Sequence, residues 1–469
     1  MSAYRRRRWR EAMTVRLDLN GLLGGAPGSR GLVPATLEAL APALRAVRAE
    51  LRVRRDRGGL GFAALGQLSD GVEAVRALAR DLAEEFDTLV VLGVGGTSQG
   101  VRLLVEALRV DDGMRVIVSD SIDPTALSAL LGRVELARTV FNVVSKSGDT
   151  AETVAQFLVV RDRLLRDRGA VDYKRHLVIT TDPERGSLRQ IVNDEGFRAL
   201  SFPSGVYGPF AVLGPPGLFP AACAGVDLEA LLAGAGYAEE RLAHIDEPLR
   251  DPTLALAGAL IMLGVARDVR SLVVMPYAER LNALAEWFAA CWNESVVKAV
   301  SRDDQPIAVR PTAVRARGSS DRYAQLQSYL EGRGDKVTLF FRVEDHGEAI
   351  AIPAAYQDLE AVGCLGGAAL GTLLNGQQQI LELALGRHGR ASATVVLPVV
   401  NSFTVGQLVY MLEWTAVAAA LLAGVEPFGH PASDDLRQYT YGLLGRPGFE
   451  ARRAELEAWL AGKDSRLVL

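Results

Sequence analysis

From residue 87 onward, short unbroken apolar runs alternate with longer stretches of helical spacing. Residues 87–93 (DTLVVLG) are too few for a helix and end at a glycine, which reads as a buried strand. An amphipathic stretch follows at 99–108. The pattern then repeats: strand 115–119, helix 125–131, strand 139–145, helix 150–166, strand 177–181. Strands that alternate with helices imply right-handed crossovers and a parallel sheet covered on both faces. The preceding residues differ: about the first 80 look helical and arginine-rich, with apolar spacing at 37–55 and 71–84.

The alternation breaks at 204–220, where four glycines and four prolines signal an irregular loop. Two helical patterns follow, 228–245 and 251–266. A second series runs through strand 272–275, helix 283–300, strand 308–309, helix 322–331, strand 337–343, a long helix at 367–385 and strand 393–399. The predicted fold class is α/β: two doubly wound parallel-sheet domains with helical N- and C-terminal extensions. The boundaries fall at 1–60 for the first extension, 61–245 and 246–430 for the two domains, and 431–469 for the C-terminal helical segment.

The totals fit this division. A chain of 469 residues is too long for one ordinary core, and 49% hydrophobic with 23% charged residues is ordinary globular composition. A net charge of −4 leaves no basic footprint for nucleic acid, while a local pocket can still be positive for an anionic substrate. Cys223, Cys291 and Cys364 form no CxxC pair, so no zinc site or disulfide framework is expected; they read as small buried hydrophobes in a reducing compartment. The apolar stretch 408–425 holds Glu413 and Thr415 and reads as a buried helix, since a carboxylate inside lipid is costly. The opening MSAYRRRRWREAM carries an arginine cluster with no apolar run behind it, so it is not a secretory signal. Two readings of it stand: contact with an anion or a membrane surface, or a start that belongs at Met13. A cytoplasmic protein is expected, with no membrane partner.

Two strand-to-helix junctions carry the chemistry. Gly93-Val94-Gly95-Gly96-Thr97-Ser98-Gln99-Gly100 lets the backbone turn sharply and presents a helix N-terminus to an anion. A dinucleotide fingerprint would need glycine where Ser98 stands, and a purely structural turn is the alternative. At the second junction, Ser145-Lys146-Ser147-Gly148-Asp149-Thr150-Ala151-Glu152-Thr153 combines hydroxyl donors, one point charge and an open helix end, which suits a phosphate. Its alternative is an N-capping run headed by Thr150. Two such turns after strands of one parallel sheet favour a ligand, because ligands collect at the carboxyl edge of open α/β sheets.

These motifs resemble a known family. SKSGDTAET is similar to the phosphate loop of sugar isomerase (SIS) domains, and GVGGTSQG looks like their glycine loop. Met275–Leu281 with Trp287 and Asn293-Glu294-Ser295 resembles the stretch carrying the catalytic glutamate of phosphoglucose isomerases. GSSDRYAQLQ at 318–327, EPFGHP at 426–431 and YGLLG at 441–445 resemble their later segments, in the same order. The resemblance implies interconversion of glucose 6-phosphate and fructose 6-phosphate with no metal and no cofactor, and a homodimer. Thr97, Ser145, Lys146, Ser147 and Thr150 would hold the substrate phosphate, and Glu294 would move a proton between C1 and C2 through a cis-enediol. Without the surrounding match, Glu294 would read as a solvated helix glutamate.

Several positions depart from the family. The ring-opening histidine falls on Tyr323, a hydrogen-bond donor but a poor proton shuttle at neutral pH. The catalytic lysine falls on Arg437, which keeps its charge and its proton. Pro209 stands where an arginine would steady the enediolate, Ala290 where a glutamine stands, and Asp149 where the phosphate loop has threonine. His430 can approach the pocket or serve as a polar cap; His388 reads as an exposed turn residue. Losing one acid–base group costs on the order of 10²–10⁴ in rate, which leaves a slow isomerase. The alternative is a regulatory protein that binds a sugar phosphate without turning it over.

Overall fold

A computed structural model describes residues 3–24, 31–64, 68–305, 310–429 and 431–469. Its strands are β1 (Arg16–Asp18), β2 (Thr88–Leu92), β3 (Arg115–Ser119), β4 (Thr139–Ser145), β5 (Leu177–Thr181), β6 (Arg198–Ser201), β7 (Ser271–Pro276), β8 (Thr312–Arg315), β9 (Lys336–Asp345) and β10 (Ala391–Val399). They form two five-stranded sheets. The first runs β3-β2-β4-β5-β6 and is parallel throughout. The second runs β1-β10-β9-β7-β8 and is parallel except for β1. Every residue of β2, β4 and β5 is buried, as strands covered by helices on both faces require. That two-sided burial is why these strands read as largely apolar runs, with Asn142 and Thr180 buried inside them and hydrogen-bonded to each other at 2.8 Å.

The first sheet has a topological switch point. From β2 the chain crosses to β3 on one side and then to β4 on the other, so connections leave in opposite directions between β2 and β4. Such a switch point opens a gap at the carboxyl ends of the strands. The glycine loop follows β2, and the hydroxyl-rich loop follows β4.

The structure departs from the sequence pattern in four places. The N-terminal segment, expected as helix, contributes β1, which pairs antiparallel with β10 (Arg16 opposite Val396). Three residues carry no periodicity that could announce such a strand. The stretch 204–220 is irregular only as far as Gly214; Pro215–Cys223 is a helix, with prolines in its first turn where no N–H is needed. β6 was not expected. The strand expected at 308–309 lies outside the described residues, and β8 begins at Thr312. Cys223 and Cys291 are buried, but Cys364 is exposed, because it follows a short surface helix (Glu360–Gly363) that buries nothing.

The helix Ser402–Leu422 is long and apolar enough to span a membrane, yet 89% of its most apolar window is buried inside the protein. It packs on helices Leu228–Ala243 and Pro252–Arg267. Glycine makes the first crossing close: a Cβ on Gly406 would stand 1.9 Å from the Leu231 carbonyl oxygen. The N-terminal arm lies over the same helices. Trp9 meets Phe403 edge-on at 5.0 Å, and the Gln407 amide donates to the Met13 carbonyl at 2.8 Å and accepts from the Val15 N–H.

Candidate active site

The glycine loop ends in the helix Gly96–Leu108, with Gly95 at its N-cap in the left-handed region (φ 70°). A Cβ on Gly96 would stand 2.6 Å from the Pro209 ring, so the loop can lie on Pro209 only without a side chain. Thr97, in the first turn, donates its hydroxyl to the Gly208 carbonyl at 3.2 Å.

Ser145 ends β4 and is buried. Its hydroxyl lies 2.9 Å from that of Thr150 and 3.4 Å from that of Ser147, and it accepts the Gly148 N–H at 3.1 Å. Thr150 occupies the N-cap position of helix Ala151–Asp172, as the capping alternative expects, but its side chain makes no cap hydrogen bond. Three hydroxyls bond one another instead, and the helix keeps free N–H groups at its positive end. Asp149, the acid in the hydroxyl-rich loop, accepts from the Ser187 hydroxyl and, at 3.4 Å, from the Ser187 N–H at the start of helix Ser187–Glu195. Its charge is therefore turned toward a neighbouring helix end rather than committed to the hydroxyl cluster.

Lys146 donates to the Val206 carbonyl at 2.6 Å, and its ammonium stands 4.3 Å from the centre of the Tyr207 ring. Burial pulls its pKa below the usual lysine value, against the opposing pull of Asp182.

Glu294 comes from the opposite direction, on helix Asn282–Val296, whose Trp287, Phe288, Cys291 and Trp292 are buried. A Cβ on Gly208 would lie 3.7 Å from Glu294 Oε2. Burial pushes the carboxyl up to about 7, with Lys298 pulling the other way. Lys298, just past the helix end, donates to the carbonyls of Phe428 and Gly429 at 3.1 Å each. Residues 206–209 are therefore the meeting point: Val206 takes Lys146, Gly208 takes Thr97 and faces Glu294, and the Pro209 carbonyl accepts the Trp287 indole N–H at 2.7 Å. Pro209 is buried packing here, not a source of charge.

The remaining candidates lie farther out. Arg437, on helix Pro431–Leu443, is paired with Asp434 at 2.7 Å; one turn on, the Tyr441 hydroxyl donates to the Asp149 carbonyl at 3.2 Å, which sets this helix against the hydroxyl loop. Tyr323 is 72% exposed on helix Ser320–Leu330, its hydroxyl accepting from Arg322 at 2.7 Å, and no hydrogen bond among the described residues ties it to the hydroxyl cluster. His388 is exposed at a helix end, and His430 lies outside the described residues. Among the described residues no group of three or more His, Cys, Asp or Glu could hold a metal ion. The sequence reading missed Tyr207, Gly208 and Lys298. Only Lys298 had a signal: a cation about one turn beyond the proposed base. Residues 206–208 lie in a glycine- and proline-rich loop with no periodicity to mark them.

The sequence model for phosphoglucose isomerase matches residues 65–329, which carry both loops and Glu294. The chain belongs to the phosphoglucose isomerase family. A glucose-6-phosphate isomerase of Carboxydothermus hydrogenoformans is 34% identical over 455 residues, covering 95% of this chain and 97% of that relative. One from Thermus thermophilus is 36% identical over 401 residues, covering 85% and 94%. Among solved structures, a hypothetical protein from Thermus thermophilus superposes with a TM-score of 0.83 at 33% identity, over 92% of this chain and all of that one. A glucose-6-phosphate isomerase from Chlamydia trachomatis, at 19% identity and a TM-score of 0.71 over 84% of this chain and 77% of that one, shares the fold. The phosphoglucose isomerase fold is thus present across nearly the whole chain, sheets and intervening helices included.

Proposed function

We propose that this chain is an aldose–ketose isomerase interconverting glucose 6-phosphate and fructose 6-phosphate, with Glu294 as the base. The observation that carries the reading is the convergence at residues 206–208 of the loop threonine, the loop lysine and a half-buried carboxyl from another part of the chain. Thr97, Ser145, Ser147 and Thr150 would hydrogen-bond the phosphate oxygens, two helix N-termini would face their charge, and Lys146 would add a full positive charge. Anchored there, the open-chain sugar would present C1 and C2 to Glu294. The carboxylate takes the proton from C2 of the aldose, leaving a cis-enediolate; as the O2 hydroxyl proton passes to O1 the carboxyl returns its own proton to C1, which gives the ketose, and the reverse direction exchanges the two carbons. A pKa of about 7 suits both halves, since the group is partly ionised at neutral pH and, once protonated, is a competent acid. Arg437 would supply fixed charge to the enediolate without giving up a proton, and Tyr323 would donate a hydrogen bond.

Tyr323 points the proposal toward a homodimer. Its helix packs on helix Leu370–Arg387, which exposes Ile380 and Leu383, while the adjoining segment exposes Ile350, Tyr356 and Leu359. Apolar surface of this kind suits a second copy of the chain, which would bring Tyr323 to a neighbouring site. Light scattering at micromolar concentration should return twice the mass of one chain; a single-chain mass removes the dimer. The proposed domain division keeps an extension to residue 60 and a boundary at 245/246, between helices Leu228–Ala243 and Pro252–Arg267; β1, within that extension, pairs with the sheet of the second unit. The same reading assigns the chain to the cytoplasm, where charged sugar phosphates are retained.

A coupled assay on fructose 6-phosphate tests the activity. Turnover in the wild type that Glu294→Gln abolishes supports it. The second reading, a sugar-phosphate-binding regulatory protein, draws on the pairing of Arg437 with Asp434 and the surface position of Tyr323. Phosphosugar binding with no turnover above the Gln variant would establish that reading instead.

A further inference from the structure

Lys146 carries the only full positive charge in the hydroxyl-rich loop, and a lysine ammonium on four methylenes is ordinarily free to wander. Here one short segment pins it twice. Val206 accepts its N–H at 2.6 Å, and the next residue, Tyr207, lays a ring 4.3 Å from the ammonium, well inside the range where the negative face of an aromatic attracts a cation. The ring is itself fixed. It stacks on Phe428 with centroids 4.7 Å apart and planes 11° from parallel, and Phe210 meets Phe428 edge-on at 5.4 Å. The Phe428 and Gly429 carbonyls both accept from Lys298. A ladder of contacts therefore runs from Lys298, beside the proposed base, through Phe428 and Tyr207 to the lysine of the hydroxyl cluster.

We infer that Tyr207 is a positioning residue: its ring, stacked on Phe428, fixes where the ammonium of Lys146 stands, in readiness for the phosphate of the substrate. This rests on the phosphate-binding reading of the cluster and adds a residue to it. A cation held in advance loses less freedom when the anion arrives, which strengthens binding without altering the chemical step. The ring faces do the work; the tyrosine hydroxyl takes no part.

The test is a double-mutant cycle on the full-length protein, read as KM and kcat for fructose 6-phosphate and as the inhibition constant of inorganic phosphate. Tyr207→Ala should raise KM and the phosphate constant about tenfold, the reach of a partly desolvated cation–π contact, while kcat falls by less. Tyr207→Phe keeps both ring faces and should restore KM to within about twofold of wild type. In the Lys146→Met background, Tyr207→Ala should add almost nothing, because its effect passes through the lysine. Unchanged or tighter phosphate binding in Tyr207→Ala, damage of equal size in Tyr207→Phe, or effects of Tyr207→Ala and Lys146→Met that multiply independently would each overturn the inference. Should Tyr207→Ala fail to fold, Phe428→Leu loosens the same ring and is expected to give the same pattern. If the wild type shows no turnover, the isomerase reading fails by itself; phosphate-induced thermal stabilisation across the same variants still decides whether Tyr207 positions Lys146.

Discussion

Glu294→Gln replaces a carboxyl by a neutral amide of almost the same shape, at a place where burial has pushed the carboxyl from 4.5 up to about 7. Each tenfold change in proton affinity is worth about 1.36 kcal/mol, so the rise corresponds to roughly 3 kcal/mol of preference for the protonated form in the fold. The sign follows from linkage. In the unfolded chain the group ionises near 4.5, whereas the folded protein holds the proton up to about 7. The contribution of Glu294 to stability is thus complete below the unfolded value and is lost as pH rises through the folded one. Glutamine does not titrate, so the variant should match the wild type closely near pH 4.5 and exceed it by up to about 3 kcal/mol above pH 8. Denaturant melts between pH 5 and 8.5 measure the difference. The same substitution should lower isomerisation by about 10²–10⁴ or more, and the wild-type kcat/KM profile should fall off on its acid side near 7. A stability gap that does not widen with pH, or a variant less stable than the wild type at pH 8, would refute the claim that the base is kept in a desolvated, strained state.

Two further predictions concern a half-buried lysine and a fully buried carboxyl. Lys298 pulls the Glu294 pKa down, so Lys298→Met should move the acid limb of the rate profile to higher pH, and Lys298→Arg should return it; a profile that stays in place denies the interaction. Glu413 is fully buried in the helix Ser402–Leu422, with no hydrogen-bond partner for either oxygen among the described residues, and burial raises its pKa well above the ordinary value. It costs stability increasingly as pH rises above 4.5, so Glu413→Leu should stabilise the protein by about 1–3 kcal/mol, with a larger gain at pH 8.5 than at pH 5.5 in thermal melts. Destabilisation at both pH values would mean that a partner satisfies this carboxyl.

Strands with two-sided burial were legible in the residues alone, because β2, β4 and β5 are largely apolar, too short for helices and bounded by turn residues. So were the two loops on which the proposed site rests: glycines and hydroxyls immediately after a strand are local features, readable without any distant contact. Long-range packing supplied the rest. β1 exists only because β10, far along the chain, offers an open edge to Arg16–Asp18, so its pairing has no local trace. Asp149 turns toward the Ser187 helix end only because that helix packs beside the loop, and Thr150 bonds its hydroxyl neighbours rather than capping. Glu294 looks like any helix glutamate until helix Asn282–Val296 is packed against residues 206–209, and its proton affinity is a property of that packing. Side-chain periodicity records which face of an element is buried, but it holds no information about which distant surface does the burying, and desolvation and charge placement depend on that surface.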